Sequence, residues 1–348
     1  MLNQVAGQWS VLALDYEFGA VIEPKAGVTH AHPDRPLARL YRFHHCTHFD
    51  RAEADAWVQA QTGALPEAAR SCGVGDLHAG CSADDYAQAV QRIREWISAG
   101  DCYQVNYTFQ LDFTWWGHPL ALYAALRQRQ PVRHGGLLVT PEDTVVSLSP
   151  ELFLARHDER LLTRPMKGTA PRASDPAALR DSAKNRAENL MIVDLLRNDL
   201  GRVAETGSVK VESLFEIEAY PTVWQMVSEI SARVGQQDTA ALLSALFPCG
   251  SVTGAPKIRA MQIIGELENR ARGLYTGAFG LIQPNGDFSL NVPIRTLELA
   301  ADGSGRMGIG SGIVADSEAA SEWAECSLKA TFLTELDPGI KLIETLRH

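Results

Sequence analysis

The stretch SADDYAQAVQRIREWISAGDCYQVNYTFQLDF, residues 82–113, predicts a helix that leads directly into a strand. Its first half has apolar residues three or four positions apart, the spacing of one helix face. These residues are Tyr86, Val90, Ile93 and Ile97. Ser82 and Asp85 have the spacing of a capping box, and Gly100 is typical of a helix C-terminus.

After Gly100 the period of the pattern changes to two. The apolar positions are Tyr103, Val105, Tyr107, Phe109 and Leu111, and the polar positions between them are Gln104, Asn106, Thr108 and Gln110. Strict alternation is typical of a strand whose two faces meet different surroundings.

The rest of the chain interleaves helices with antiparallel strand pairs. Asn285-Gly286 predicts a hairpin turn, and we expect its return strand to continue through SLNVPIRTLEL, residues 289–299. The glycine-containing stretch 71–80 has the composition of a linker. This order does not fit a parallel, doubly wound sheet. It favours an α+β fold in which one large domain has two stacked, mainly antiparallel sheets flanked by helices.

Composition limits the possible functions. The 348 residues are 45% hydrophobic and 21% charged, and the net charge is −10 with no block of Lys or Arg. This balance disfavours nucleic acid and anionic membranes as partners. No long apolar run or signal-peptide pattern is visible, so we expect a cytoplasmic protein. The six cysteines have no CxxC spacing, and we interpret residues 43–50, FHHCTHFD, as a polar strand end and loop rather than a metal site.

Four separate segments place charged residues in conspicuous positions. Glu151 follows a proline just beyond a strand, Glu188 begins an apolar helical run, and Arg295 is embedded in an apolar strand. The fourth segment is a helix with Glu322, Glu325 and Lys329 along one face. Each segment alone is also explained by ordinary structure, such as an exposed Glu–Lys pair. Together, two distant carboxylates suit Mg²⁺, and the basic groups suit the carboxylates of a ligand.

Two glycine-containing segments also suggest anion binding. In GIGSGIV the backbone N–H groups of Gly310 and Gly312 are candidates to face an anion. GSVTGAPK, residues 250–257, does not have the glycine spacing of a phosphate-binding loop, and Pro256 fits the first position of a helix instead.

With these residues in place, the chain resembles the chorismate-utilising enzymes over about Ser82 to Leu336. The resemblance rests on ordered blocks: GDCYQVNYT, SPELF, TRPMKGTAPR, RAENLMIVDLLRNDLGRV, GSVTGAPKIRAMQII, YTGAFG, IRT, GSGIVADS and EWAECSLKA. It implies a chorismate-binding catalytic domain over residues 81–340. Residues 1–80 are then a shortened N-terminal part that belongs to the same fold.

Lys167 in TRPMKGTAPR indicates the branch of this family. The aminodeoxychorismate synthases have a lysine at this turn, where anthranilate and isochorismate synthases have alanine. The family's water-activating lysine falls at Gln104, which argues against isochorismate formation. Ser251 also resembles the aminodeoxychorismate type, whereas Tyr275 resembles anthranilate synthases.

The resemblance implies a role for each candidate. Glu188 and Glu325 would hold Mg²⁺ on the ring carboxylate of chorismate, Glu151 would be the general acid, and Lys167 would add to C2 of the ring. The remaining candidates would bind substrate: Arg295, Lys329, Tyr275, Gly310, Gly312, Gly168, Thr169 and Ser251.

The implied reaction gives 4-amino-4-deoxychorismate, which feeds p-aminobenzoate and folate synthesis. Its ammonia would come from a glutamine amidotransferase partner. Two alternatives stay open, an anthranilate synthase component I and a non-catalytic chorismate-binding subunit. The tryptophan-binding segment of anthranilate synthases is not found.

Overall fold

The computed structural model describes residues 7–27, 30–31, 35–220, 223–334, 336 and 343–344. Its helices are α1 (Phe18–Ile22), α2 (Arg51–Ala64), α3 (Glu67–Arg70), α4 (Ala83–Ser98), α5 (Pro119–Arg129), α6 (Pro176–Arg180), α7 (Ala183–Gly201), α8 (Thr239–Leu246), α9 (Lys257–Leu267) and α10 (Ala319–Thr334). Its strands are β1 (Trp9–Leu14), β2 (Ala38–Phe43), β3 (Gly73–Ala79), β4 (Gln104–Trp116), β5 (Gly136–Val139), β6 (Thr144–Ser147), β7 (Leu152–His157), β8 (Arg160–Arg164), β9 (Met166–Pro171), β10 (Lys210–Ala219), β11 (Val223–Arg233), β12 (Gly254–Ala255), β13 (Ala278–Ile282), β14 (Phe288–Asn291), β15 (Thr296–Leu299), β16 (Ser304–Ile313) and β17 (Ile343–Glu344).

Two large sheets organise the chain. The first has the order β10-β11-β8-β7-β14-β13-β1-β2, with β9 also paired to β11. The second has the order β17-β3-β4-β16-β15-β6-β5, with β12 also paired to β4. Every described pairing is antiparallel except that of β17 with β3. The predicted α+β fold with two antiparallel sheets is therefore confirmed.

Each sheet has its own apolar core. The core of the second sheet joins β4 and β16 to α4, α9 and α10. The core of the first sheet is formed with α7 and α8. A small third cluster, which includes Ala13, Leu138, Val145 and Phe279, joins the two sheets.

The helix and strand of residues 82–113 form as predicted. Both hydrogen bonds of the capping box between Ser82 and Asp85 are present at the start of α4. In β4 the apolar side chains from Val105 enter the core, but Tyr103 precedes the strand and is 70% exposed, which corrects its predicted place on the apolar face. The polar side chains of Gln104, Asn106 and Thr108 on the other face of β4 are also buried.

Two predicted connections are wrong. The expected linker at 71–80 contains β3, which pairs with β4. Residues 289–299 are two strands rather than one, since β14 ends at Asn291 and β15 begins at Thr296 in the other sheet. Arg295 therefore lies in the crossover between the sheets and not within a strand. Pro256 likewise occupies the N-cap of α9 rather than its first helical position.

The remaining expectations concern the surface and the cysteines. All six cysteines are free thiols. His44, His45, Cys46 and His48 are exposed after β2, as a polar strand end and loop would be. None of the helices in the described ranges has both the length and the apolar character needed to span a bilayer.

Candidate active site

Lys167 lies on β9 among carboxyl groups from three different segments. Its side chain is half-buried, and its positive charge lowers the pKa of Glu151, Glu188 and Glu325. Glu151 lies just before β7, Glu188 lies on α7, and Glu325 lies on α10. The fold thus brings together the lysine and the acids that the sequence separates by up to 158 residues, from Lys167 to Glu325.

Glu151 is buried beside Ser251. Only 4% of Glu151 is exposed, and the hydroxyl of Ser251 donates a hydrogen bond of 2.6 Å to its Oε1. Burial raises the pKa of the Glu151 carboxyl, while the bond from Ser251 and the charge of Lys167 act in the opposite direction. A carboxyl group in such a place is favoured in its protonated form, which is the form that a general acid needs.

The short turn Gly250–Val252 holds Ser251 in place. Leu195 of α7 packs so closely on Gly250 that a Cβ there would lie 2.6 Å from the leucine side chain. The thiol of Cys249 lies 3.2 Å from the Ser251 hydroxyl. The Ser251 hydroxyl is therefore fixed from both sides of the turn.

Two acidic helices face each other at the site. Burial raises the pKa of Glu188, and the nearby carboxylates of Glu325 and Glu322 raise it further, while Lys167 and Lys184 lower it. For Glu325 burial also acts upward, but Lys329, whose Nζ is 2.7 Å away, leaves the pKa lowered. Repulsion between carboxylates is what a bound cation relieves, so these oxygen donors fit Mg²⁺.

The spacing of these acids also bears on the fit. The only described group of three potential ligand atoms within 4.8 Å of one another is His157, Asp158 and Asp287, on hairpin turns. Asp287 there already accepts hydrogen bonds from the Asp158 N–H and the Asn285 side chain. The described carboxylates on α7 and α10 do not form such a group of three, and Mg²⁺ needs only one or two protein carboxylates because it keeps several waters.

Arg295 is an unpaired cation in the crossover between the sheets. Its backbone is left-handed, with φ +49°, and its carbonyl accepts a hydrogen bond from Leu148. Burial lowers the pKa of its guanidinium, and Tyr220 offsets this only in part. Arg295 is half-buried, and its guanidinium makes no hydrogen bond or ion pair with the described residues. The group is therefore prepared for an anion.

The backbone N–H and C=O groups of Gly310 and Gly312 lie on the edge of β16 that faces away from β4. Opposite them on β4, the N–H groups of Thr108 and Asn106 point away from β16, toward Glu268 and Thr253. These are therefore non-hydrogen-bonded pairs, in which the glycine N–H and C=O groups also point away from the partner strand. Consistently, Lys329 donates a 2.9 Å hydrogen bond to the Gly310 carbonyl.

Tyr275 lies against the same strand. It is 7% exposed, and its ring covers Gly308 so closely that a Cβ there would lie 2.1 Å from ring atoms. Burial raises the pKa of its hydroxyl. Tyr275 and Lys329 thus adjoin β16, whereas the described titratable group that acts on the pKa of Arg295 is Tyr220.

Two carboxamides of the site received no role from the sequence. Gln104 is 2% exposed and its Nε2 has no hydrogen-bond partner among the described residues; it lies 3.2 Å from the position of a Cβ on Gly312. Gln225 on β11 is bonded to the segment Gly168–Thr169. Only the alternation of β4 indicated that Gln104 faces a polar interior, and no pattern indicated Gln225.

Comparison with known proteins agrees with this geometry. The family model described as chorismate binding enzyme matches residues 2–335. Aminodeoxychorismate synthase component 1 of Klebsiella aerogenes is 42% identical over 278 residues, 78% of this chain and 61% of the relative. Anthranilate synthase component 1 of Thermus thermophilus is 39% identical over 299 residues, 82% of this chain and 64% of the relative. The chain thus spans about three fifths of the length of these curated relatives.

A solved structure shows the same fold. The crystal structure of anthranilate synthase component I from Streptococcus pneumoniae aligns with a TM-score of 0.80 at 26% identity, covering 94% of this chain and 81% of that one. The match of the family model to nearly the whole chain, together with the acids and the lysine gathered at one site, leads to a single assignment. The chain belongs to the chorismate binding enzyme family.

Proposed function

We propose that this chain is the chorismate-aminating component of an aminodeoxychorismate synthase. The observation that carries the proposal is the position of Lys167, whose amine lies among Glu151, Glu188 and Glu325. Relatives named aminodeoxychorismate synthase component 1, at 39–42% identity, support it.

One proton transfer prepares both reacting groups. Lys167 must lose a proton to become a nucleophile, and Glu151 must gain one to act as an acid. Transfer from the Lys167 ammonium to the Glu151 carboxylate achieves both. Burial of Glu151 favours this direction because it disfavours the charged carboxylate.

The first covalent step forms a bond from Lys167 Nζ to C2 of the ring. The two ring double bonds shift, the C4–O bond breaks, and Glu151 gives its proton to the departing hydroxyl, which leaves as water. Ammonia then forms a bond to C4, the double bonds shift back, and the C2–Nζ bond breaks to restore Lys167. The balance is chorismate plus ammonia to 4-amino-4-deoxychorismate plus water.

Other residues would hold the substrate in the required orientation. Glu188 and Glu325 would hold Mg²⁺, which neutralises the ring carboxylate when bound. Arg295 would pair with the second carboxylate, because its half-buried guanidinium has no partner among the described residues. The other proposed substrate contacts are the N–H groups of Gly310 and Gly312 and the side chain of Tyr275. We also assign Gly168, Thr169 and Lys329 to the substrate-binding group.

Intact-mass spectrometry tests the covalent route. The protein is incubated with chorismate and Mg²⁺ but without ammonia, and we expect an adduct with the mass of chorismate less one water on Lys167. Lys167→Ala cannot form it. An unmodified wild-type protein, in a preparation that aminates chorismate when ammonia is added, contradicts the covalent route.

Ammonia would come from a separate glutamine amidotransferase, as the component 1 names of the relatives suggest. Glutamine-dependent activity that appears only on adding such a subunit supports this partner. Activity with glutamine by this chain alone contradicts it.

Anthranilate synthase component I is the second candidate function. Tyr275 and the 39%-identical Thermus thermophilus relative favour it. Product analysis separates the two, since anthranilate is fluorescent and forms without a lyase. The third possibility is a non-catalytic chorismate-binding subunit. A single-turnover assay that yields no product would favour it.

A further inference from the structure

The strand that carries Lys167 contains a β-bulge at that residue. On β9 and β11, Met166 is paired with Val227 and Thr169 with Gln225. Two residues of β9, Lys167 and Gly168, therefore lie opposite the single residue between Gln225 and Val227. Bulges of this kind bend a strand and redirect the side chain at the extra residue.

The bulge depends on a left-handed residue. Gly168 has φ +90°, a conformation that side chains other than glycine rarely adopt. An added Cβ would also lie 3.1 Å from the Asn185 side chain at the start of α7. A bulge leaves backbone groups outside the regular ladder, so they need other partners.

The side chain of Gln225 supplies a partner for one of these backbone groups and for a neighbouring hydroxyl. Its Nε2 donates to the Gly168 carbonyl at 2.9 Å, and its Oε1 accepts from the Thr169 hydroxyl at 2.9 Å. Gln225 is only 8% exposed, and both bonds are partly buried. A carboxamide is suited to this task because it has one donor end and one acceptor end.

The strand is also fastened beyond the bulge. The indole N–H of Trp224 donates to the Ser174 carbonyl at 3.0 Å, and the Arg172 guanidinium lies 3.6 Å from the centre of that indole ring. With the strand fixed on that side, the conformation at Lys167 is set mainly by the bonds at Gly168 and Thr169.

We propose that Gln225 is a positioning residue that fixes the bulge and thereby directs the Lys167 amine toward the carboxyl groups of the site. The inference rests on the proposed function, because it concerns the rate at which Lys167 reacts. Gln225 acts through the backbone of Gly168 and makes no contact with the reacting atoms. A small displacement of a nucleophile from its attack geometry costs about 100-fold in rate.

Two substitutions separate this role from simple support of the fold. Gln225→Glu has the same shape and keeps the acceptor for Thr169, but it has no donor for the Gly168 carbonyl. Gln225→Met removes both polar ends without adding charge. In both variants we expect the rate of adduct formation with chorismate and Mg²⁺ to fall by about 10-fold to 100-fold, with the chorismate Kd changed less than about threefold.

Gln110→Met is the matched control. Gln110 is a half-buried glutamine of β4 whose Nε2 bonds to Asp112. We expect this variant to form the adduct at the wild-type rate.

The outcomes are distinguishable. A wild-type protein that forms no adduct overturns the proposed function and this inference with it. A wild-type protein that forms the adduct, with both Gln225 variants equally fast, overturns the positioning role alone. Loss of chorismate binding in step with the rate also overturns it, because that result indicates a general structural role.

Discussion

Ser251 donates a hydrogen bond of 2.6 Å to Glu151 across the space between the two sheets. Glu151 precedes β7 of the first sheet, and Ser251 lies in the turn before β12 of the second. Because the bond is buried, it has a direct effect on the protonation of the proposed general acid.

Ser251→Ala should shift the pH dependence of turnover upward. The bond from Ser251 stabilises the carboxylate and so lowers the pKa of Glu151; its loss raises that pKa further. Glu151 then stays protonated to higher pH, and the alkaline limb of the kcat–pH profile moves to higher pH. Ser208→Ala, at a half-buried serine just before β10, is the control. A profile identical to wild type excludes Glu151 as the acid that limits turnover.

Lys167→Arg should abolish amination while retaining chorismate binding. Arginine keeps the positive charge beside the three acids but is not a nucleophile at neutral pH. We expect kcat to fall by about 10³-fold or more, with Kd for chorismate within about threefold of wild type. Lys210→Ala removes an exposed lysine at the start of β10 and should leave turnover intact. Substantial amination by the arginine variant is incompatible with covalent attack by Lys167.

Arg295→Met should weaken substrate binding without weakening the free protein. Loss of charge-assisted hydrogen bonds of about 1.5–3 kcal/mol raises KM by about 10-fold to 100-fold. The half-buried guanidinium has no partner within the described ranges, so its removal should leave the melting temperature close to that of the wild type. The control Arg233→Met changes an arginine that is 62% exposed. An unchanged KM would show that Arg295 does not contact the substrate.

Mg²⁺ binding should release a proton and weaken as the pH falls. Burial, Glu325 and Glu322 raise the pKa of Glu188, so this carboxyl keeps its proton to a higher pH than an ordinary glutamate, and the cation must displace that proton. Titration calorimetry in buffers of different ionisation enthalpy measures the release. Glu188→Gln should abolish both proton release and binding, whereas Glu212→Gln, on the exposed face of β10, should change neither. Binding that is independent of pH would place the cation elsewhere.

The sequence predicted those parts of the fold that depend on local pattern. The helix from Ala83 and the strand from Gln104 each have a strong period of their own, and the capping box forms as expected. The stretch 71–80 was misinterpreted because Gly73 and Gly75 resemble a linker. In the structure they allow Trp116 to pack on β3, a contact with a residue 43 positions away from Gly73.

The missed features of the site depend on pairing between distant segments. The apolar pattern continues from β14 into β15, and nothing in it shows that the chain changes sheets at Arg295. Similarly, the bulge at Lys167 exists only in relation to β11, and its partner Gln225 is 58 residues away. Residue type and order indicated which groups belong to the site, but register and crossover decide how they are directed.

A small apolar cluster that includes Ala13, Leu138 and Phe279 joins the two sheets, and the candidate pocket takes Lys167 from one sheet and Glu325 and Gly310 from the side of the other. A ligand bound in this pocket would contact both sheets and so link them non-covalently. Its occupancy and the shear of one layer past the other are then linked equilibria. Phe279→Ala, which changes no proposed ligand contact, is therefore expected to change the affinity for chorismate by loosening the packing between the sheets.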